Sequence, residues 1–200
     1  MNRYCPTCCR AKSRRMQHRN AKNKAAGANR GPIPKRFGDQ VTLDSFLSKK
    51  YKNRGWTGEN CGLVIIDRGT KFCGCYPSAH KSKAWMKRGY REFWGTRGKP
   101  KSVYHDNAPE LCAASLDLDW PYDTSTQGVS ETNGVAERAI EDVIEGSIAA
   151  QEQAGLFPEA WPIGAPYYCN ARNFSKDEAG DSPYKKRFKC DFEGIELPLG

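Results

Sequence analysis

Three carboxylates occupy positions from which they could share a cation: Asp44, Asp106 and Glu137. Asp44 and Asp106 each close a short apolar run, Val41-Thr42-Leu43 and Val103-Tyr104-His105, and each precedes a polar residue. Such runs read as strands, and a carboxylate at a strand end sits at the rim of a sheet, where helices do not cover it. Glu137 falls in the first turn of the clearest helical pattern in the chain, just after Asn133-Gly134. At about 100° per residue it shares a line with Ile144 and Ile148, at the border of the apolar face, and so points along the sheet toward the strand ends. Three converging carboxylates repel one another unless a cation lies between them, and hard oxygen donors select Mg²⁺ or Mn²⁺. Two such ions about 4 Å apart activate an attacking oxygen and stabilise a leaving one in phosphodiester chemistry. The chain has 23 acidic residues, so many triples exist. Taken singly, each of the three also reads as a helix cap, a turn former or a solvated charge.

The elements that must hold these residues follow the same logic. Gln40 to Leu43 leads into Asp44. After a polar turn from Lys49 to Asn60, Cys61 to Ile66 is a short apolar, β-branched run that reads as a buried strand. Asp67-Arg68-Gly69-Thr70 makes a turn, and Lys71 to Tyr76 alternates like a third strand, so adjacent antiparallel strands are expected. Residues 80–97 space Ala84, Trp85, Met86, Tyr90, Phe93 and Trp94 as a helix with a basic outer face. Lys101 to His105 is a short strand, and Leu111 to Leu118 a helix. Pro121 to Gly134 reads as a polar loop. Val135 to Gln153 is a helix burying Ala136, Ile140, Val143, Ile144 and Ile148. Phe157 to Arg172 is another, made irregular at its start by Pro162 and Pro166. Strands with following helices predict a mixed α/β sheet.

Two hundred residues suffice for one domain of about 150 residues plus an appendage. No apolar run approaches the ~20 residues of a membrane span, and the first residues lack an apolar signal region. A nuclear or cytoplasmic protein that is not secreted is expected, and its nine cysteines read as thiols or metal ligands rather than disulfides. The net charge of +9 is uneven: residues 1–36 hold 11 Lys and Arg and no acid, whereas residues 102–200 hold 7 basic and 18 acidic residues. A basic first half suits a polyanion such as DNA, with Arg10, Lys12, Arg14, Arg15 and Arg19 as phosphate contacts. A solvated tail that binds nothing specific is the plainer alternative. Residues 1–36 are nearly devoid of large apolar residues and end in Gly31-Pro32-Ile33-Pro34, which marks a largely irregular arm. Within it, Cys5-Pro6-Thr7-Cys8 has the spacing of one half of a tetrahedral zinc site. Only Cys9 and His18 are nearby, so a half-site completed upstream of Met1, or inert cysteines, are the readings.

In combination, several segments resemble the catalytic core of retroviral-type integrases, especially those of LTR retrotransposons of the copia kind. They are Val41-Thr42-Leu43-Asp44, Leu63-Val64-Ile65-Ile66-Asp67-Arg68, Tyr104-His105-Asp106-Asn107-Ala108-Pro109-Glu110-Leu111 and Asn133-Gly134-Val135-Ala136-Glu137-Arg138, with Ser182 to Phe188 after the last core helix. The resemblance covers about residues 37–190, leaving 1–36 as a basic arm and 191–200 as the start of a C-terminal extension. It implies a ribonuclease H-like mixed sheet flanked by helices. It implies Asp44, Asp106 and Glu137 as the D, D and E ligands of a pair of Mg²⁺ or Mn²⁺ ions, with Asn107, Asn133 and Gly134 in support. Cys5 and Cys8 match the cysteine half of a zinc module. The implied activity is DNA integration: water or a DNA 3′-hydroxyl attacks a phosphodiester in line, joining element ends to target DNA within a homo-oligomer. Asp67 matches a recurrent aspartate that is not a ligand and reads as structural. The chain reads as a fragment of a longer element-encoded polyprotein. Thr132 and the acids Glu141, Asp142 and Glu145 depart from the family pattern. Two rivals share the fold: a decayed or co-opted nucleic-acid-binding protein, and a metal-dependent nuclease.

Overall fold

A computed structural model describes residues 5–7, 33–48, 53–95, 98–124 and 134–199. Cys8, Arg10, Lys12, Arg14, Arg15, Arg19 and Asn133 lie outside the described residues.

Five strands form one sheet in the order β3-β2-β1-β4-β5. β1 (Val41–Leu47), β2 (Cys61–Asp67) and β3 (Cys73–Ser78) make an antiparallel meander, with Val41 opposite Asp67 and Cys61 opposite Ser78. β4 (Val103–His105) joins the other side of β1 in parallel, and β5 (Tyr122–Thr124) extends the sheet in parallel again. A parallel neighbour needs a long crossover; α1 (Lys83–Trp94) lies within it, and α2 (Pro109–Asp117) links β4 to β5. α3 (Gly134–Gln153), α4 (Trp161–Phe174) and the short α5 (Pro183–Phe188) complete the chain. The expected mixed sheet flanked by helices is present. β5 is a correction, since Tyr122-Asp123-Thr124 lies within the stretch read as a loop. Three residues that are half-buried or exposed carry no alternation to read, and only pairing with β4 defines them.

Alternation along the strands divides the core into two layers. Val41, Leu43, Leu63, Ile65 and Val103 face Met86, Tyr90 and Phe93 of α1 and Leu111 of α2. Val64, Ile66, Cys73 and Cys75 face Ala139 and Val143 of α3 and Ala165 and Cys169 of α4. β2 is covered on both sides, so all seven of its residues are buried and it reads as an unbroken apolar run. α3 buries the predicted face only in part: Ala136 and Val143 are buried and Ile140 packs against the core, but the buried stripe runs on through smaller and polar residues. Ala136, Ala139, Val143, Gly146, Ser147 and Gln151 are buried, while Ile148 is 45% exposed. Gly146 decides this, because the Tyr168 ring of α4 fills the space a Cβ would occupy. The polar members of the stripe are satisfied. Ser147 Oγ donates to Gln151 Oε1 at 3.2 Å, and Gln151 Nε2 donates to the carbonyls of Phe157 and Pro158 at 3.1 and 3.2 Å.

Two charged groups close the end of the molecule where β2 turns into β3. Asp67 is fully buried. Its Oδ1 accepts from the Thr70 N–H and hydroxyl, both at 2.7 Å, and its Oδ2 from the Gly38 N–H at 2.8 Å. The carboxylate thus ties the β2–β3 turn to the segment entering β1, which is the structural part expected of it. The Arg187 guanidinium lies 4.3 Å from the ring centroids of Phe37 and Phe72 and donates to the Phe93 carbonyl at 2.7 Å. Ring quadrupoles hold a cation there, so α5 seals the core. The outer edge of β3 is also closed. The Asn173 carboxamide accepts from the Cys73 N–H at 2.9 Å and donates to the Cys73 carbonyl at 2.7 Å, as a neighbouring peptide would. Pro77 has no N–H to present, and an edge so blunted resists pairing with another chain.

Removing the Asp67 carboxylate strands three donors in a buried place. Asp67→Ala is expected to lower the unfolding free energy by about 3 kcal/mol, and Asp44→Ala, in a half-buried position, by less than about 1.5 kcal/mol. Urea unfolding followed by tryptophan fluorescence measures both; equal losses would contradict the division of roles between the two aspartates.

Candidate functional site

Asp44 is the fourth of seven residues in β1 rather than its last, which corrects the expected strand-end position. What ends beside it is a ladder. β1 and β4 pair at Val41–Val103 and Thr42–Tyr104 and no further. Two residues beyond that last pair lie Asp44, within β1, and Asp106, the first residue after β4. Alternation puts Asp44 on the face of Phe46, which packs toward α3 and α4. The chain leaves β1 toward β2 on one side and β4 toward β5 on the other, and such a switch point opens a crevice at strand ends. α3 lies across β1 and β2. On the same face Tyr104 is half-buried and Asp123 exposed, so Asp44 marks the border between covered and open sheet.

Local bonds fix each aspartate. Asp44 Oδ1 accepts from the Ser45 N–H at 2.6 Å. Asp106 Oδ1 accepts from the Ala108 N–H at 3.2 Å, an Asx-type turn that starts α2 with Pro109 in its first turn. Asn107 is exposed, and its Oδ1 accepts from the Cys112 thiol at 3.7 Å. The Thr42 hydroxyl, two residues before Asp44 on the same face, is buried without a hydrogen-bond partner among the described residues. Glu137 lies in the first turn of α3 and is exposed, not at the border of the buried face. Among the described residues no group of three His, Cys, Asp or Glu comes together to hold a metal. The three carboxylates read from the sequence are therefore not gathered into such a group. Gly134 opens α3, and a Cβ there would meet open space. Cys5 is half-buried.

One buried feature beside the pair has no signal in residue spacing. His105 is fully buried, with Nδ1 2.6 Å from the Asp106 carbonyl and Nε2 3.3 Å from Ser115 Oγ. Burial pushes its pKa below the ordinary imidazole value, against the Asp106 carbonyl and carboxylate.

The basic face of α1 carries its own counter-charges. Lys83 and Lys87 reach Asp117 at 3.1 and 3.0 Å, Lys99 reaches Asp119 at 2.6 Å, and Lys101 reaches Asp39 at 2.7 Å. Hydrogen bonds from Lys87 and Lys83 hold the Asp117 carboxyl below its usual range. Of the acids following Glu137, Asp142 turns inward, accepting from the Tyr168 hydroxyl at 3.1 Å and pairing with Arg172 at 3.3 Å. No helix among the described residues is long and apolar enough to cross a membrane.

The strand order, the crossover and the flanking helices define the ribonuclease H-like fold of integrase catalytic cores. The solved catalytic core domain of BIV integrase superposes with a TM-score of 0.53 at 14% sequence identity, over 76% of this chain and 95% of that one. Neither a protein-family model nor a curated protein matches the sequence.

Neutralised lysines are poor phosphate ligands, so removing the acid between two of them should help. Asp117→Asn is expected to tighten binding to a DNA duplex about twofold to threefold at low salt, with the gain vanishing at high salt. Fluorescence anisotropy across a salt series measures it, and unchanged affinity at low salt would show that DNA does not approach α1.

Proposed function

We propose that this chain is a polynucleotidyl transferase of the integrase type, joining retrotransposon DNA 3′ ends to target DNA. What supports the reading is the fold shared with an integrase catalytic core, together with a β1–β4 register that sets Asp44 and Asp106 equally far beyond the last paired residues. The donor set fits a divalent cation. Asp44 and Asp106 are hard carboxylate donors, and the buried Thr42 hydroxyl, on the face of Asp44, has no hydrogen-bond partner among the described residues. When bound there, Mg²⁺ or Mn²⁺ supplies Lewis-acid polarisation of a phosphodiester and activation of the attacking oxygen.

The chain's own residues supply the rest. Asp44 and Asp106 hold the cation from adjacent strands, and Glu137 contributes a third carboxylate from α3 as that helix's first turn meets substrate. The exposed Asn107 carboxamide, next to Asp106, orients a phosphate oxygen, and Asn133-Gly134 delivers the helix. Arg10, Lys12, Arg14, Arg15 and Arg19 neutralise DNA phosphates on element ends and target. Cys5 and Cys8 contribute half of a zinc site completed by residues beyond this chain, and the working form is a homo-oligomer. Descent from an LTR retrotransposon of the copia kind belongs to the same reading.

A specific observation favours a second reading, a nucleic-acid-binding protein of this fold without chemistry. Glu137 is exposed and not gathered with the two aspartates. A strand-transfer and disintegration assay with labelled DNA in Mg²⁺ or Mn²⁺ separates the possibilities. Under the first reading joined products form, and Asp44→Asn or Asp106→Asn lowers the rate at least about 100-fold. Equal rates in parent and Asp106→Asn would sink the assignment. Salt-sensitive DNA binding without products supports the second reading, and hydrolysis without joining identifies a nuclease.

A further inference from the structure

We propose that His105 is a positioning residue for Asp106, holding the Asp106 peptide through a neutral imidazole whose Nδ1 carries the proton. The proposal rests on the reading of Asp106 as a cation ligand.

Hydrogen-bond logic fixes the tautomer. The Asp106 carbonyl, 2.6 Å from Nδ1, can only accept, so Nδ1–H donates. Nε2 is then an acceptor, and Ser115 Oγ at 3.3 Å supplies its hydroxyl proton. The Ser115 oxygen in turn accepts from the Tyr90 hydroxyl at 3.4 Å. A single direction of donation, from Tyr90 through Ser115 and His105 to the Asp106 carbonyl, satisfies every member. His105, Ser115 and Tyr90 are all fully buried, so water cannot replace any link. The ring also stacks on Tyr122 of β5, with centroids 5.2 Å apart and planes inclined by 16°. His105 is thereby held by α1, α2 and β5 at once.

The geometry is that of a brace under the ligand. His105 is linked through Ser115 and Tyr90 to α2 and α1, and Asp106 follows it directly after β4. One hydrogen bond fixes the carbonyl of Asp106, and the Ala108 N–H, at 3.2 Å, fixes its carboxylate. A metal ligand has to be held within about 0.5 Å of its productive position, and partners that orient ligands are worth about 10-fold to 100-fold in metal affinity. A neutral imidazole has one donor and one acceptor to satisfy, and here the donor is placed on the peptide of the proposed ligand itself.

Two substitutions separate the bonds. In His105→Asn the carboxamide nitrogen falls near the former Nδ1 and can still donate to Asp106. In His105→Gln it falls near the former Nε2, keeping Ser115 and losing Asp106. Mn²⁺ binding to the full chain is read by electron paramagnetic resonance of free Mn²⁺, and amide hydrogen exchange at Ala108 is read without metal. His105→Asn is expected to bind Mn²⁺ within about twofold of the parent. His105→Gln is expected to bind about 10-fold more weakly and to exchange Ala108 faster. The two variants should melt at similar temperatures. Equal Mn²⁺ affinity and equal Ala108 exchange in the two variants would overturn the proposal. If neither variant folds, long-range proton–nitrogen NMR of the parent decides: an Nδ1–H tautomer supports the brace and an Nε2–H tautomer removes it. Asp106→Asn is the control for the underlying reading. Should it leave Mn²⁺ binding unchanged, the cation site falls, while Ala108 exchange still reports whether His105 holds that peptide.

Discussion

The parallel pairing of β1 with β4 is the constraint on which the rest depends. The antiparallel meander of β1 to β3 pairs strands that follow one another in the chain. A parallel neighbour for β1 has to come from beyond β3, so the chain spends α1 on a crossover before β4 can dock. That crossover buries Met86, Tyr90 and Phe93 against one face of the sheet, and the docking leaves β1 in the middle of five strands. Because the β1–β4 ladder stops at Thr42–Tyr104, the strands are registered but no longer bonded where Asp44 and Asp106 stand.

Charge is organised by the same topology. The 11 basic residues of the first 36 exceed the net charge of the whole chain, +9, so everything after them is slightly acidic. Within the folded part the two signs are largely matched across elements: lysines of α1 and of the segment before β4 meet Asp117, Asp119 and Asp39. Exposed pairs of this kind add little stability. Their larger effect is on the field, since they lower the positive potential over α1. The unmatched positive charge of the sequence then lies mainly in its first 36 residues. The inward turn of Asp142 toward Arg172 works in the same direction on the other side of the sheet, removing one negative charge from the surface behind Glu137.

How much of this was legible in the sequence depends on whether a residue's surroundings are local. The strands β1 to β4 and the helices α1 to α4 were readable, because apolar periodicity reports the face an element buries. β5 was not, since its three residues become a strand only by pairing with β4. Asp106 was placed correctly because the Asx-type turn and Pro109 follow it directly. Asp44 was misplaced by three residues relative to the strand end, since β1 continues to Leu47 for the sake of β2, a partner further along the chain. The buried face of α3 was read only in part, for a related reason. Its isoleucines predicted one stripe, and the Tyr168 ring, 22 residues beyond Gly146 in sequence, selected another. His105 gave no sign at all. Its partners Ser115 and Tyr90 look like ordinary members of helices until the fold stacks them.

Two of the three carboxylates differ from the third in how they are anchored. Asp44 lies within β1, and Asp106 follows buried His105 in the Asx-type turn that starts α2. Glu137 rides on a helix gripped unevenly. Toward its end, α3 is fixed by Tyr168 over Gly146 and by the Gln151 carboxamide bonded to two carbonyls. Toward its start, Ala136 and Ala139 are the buried side chains. A methyl group buries far less apolar area than a leucine or an isoleucine side chain, so tilting the first turn exposes little, whereas shifting the last turns would break hydrogen bonds and open a void. The energetic consequence is that the fold resists moving Asp44 and Asp106 and resists moving the C-terminal half of α3, but places only a low barrier against re-aiming Glu137. The uneven grip on α3 follows from side-chain size along one helix.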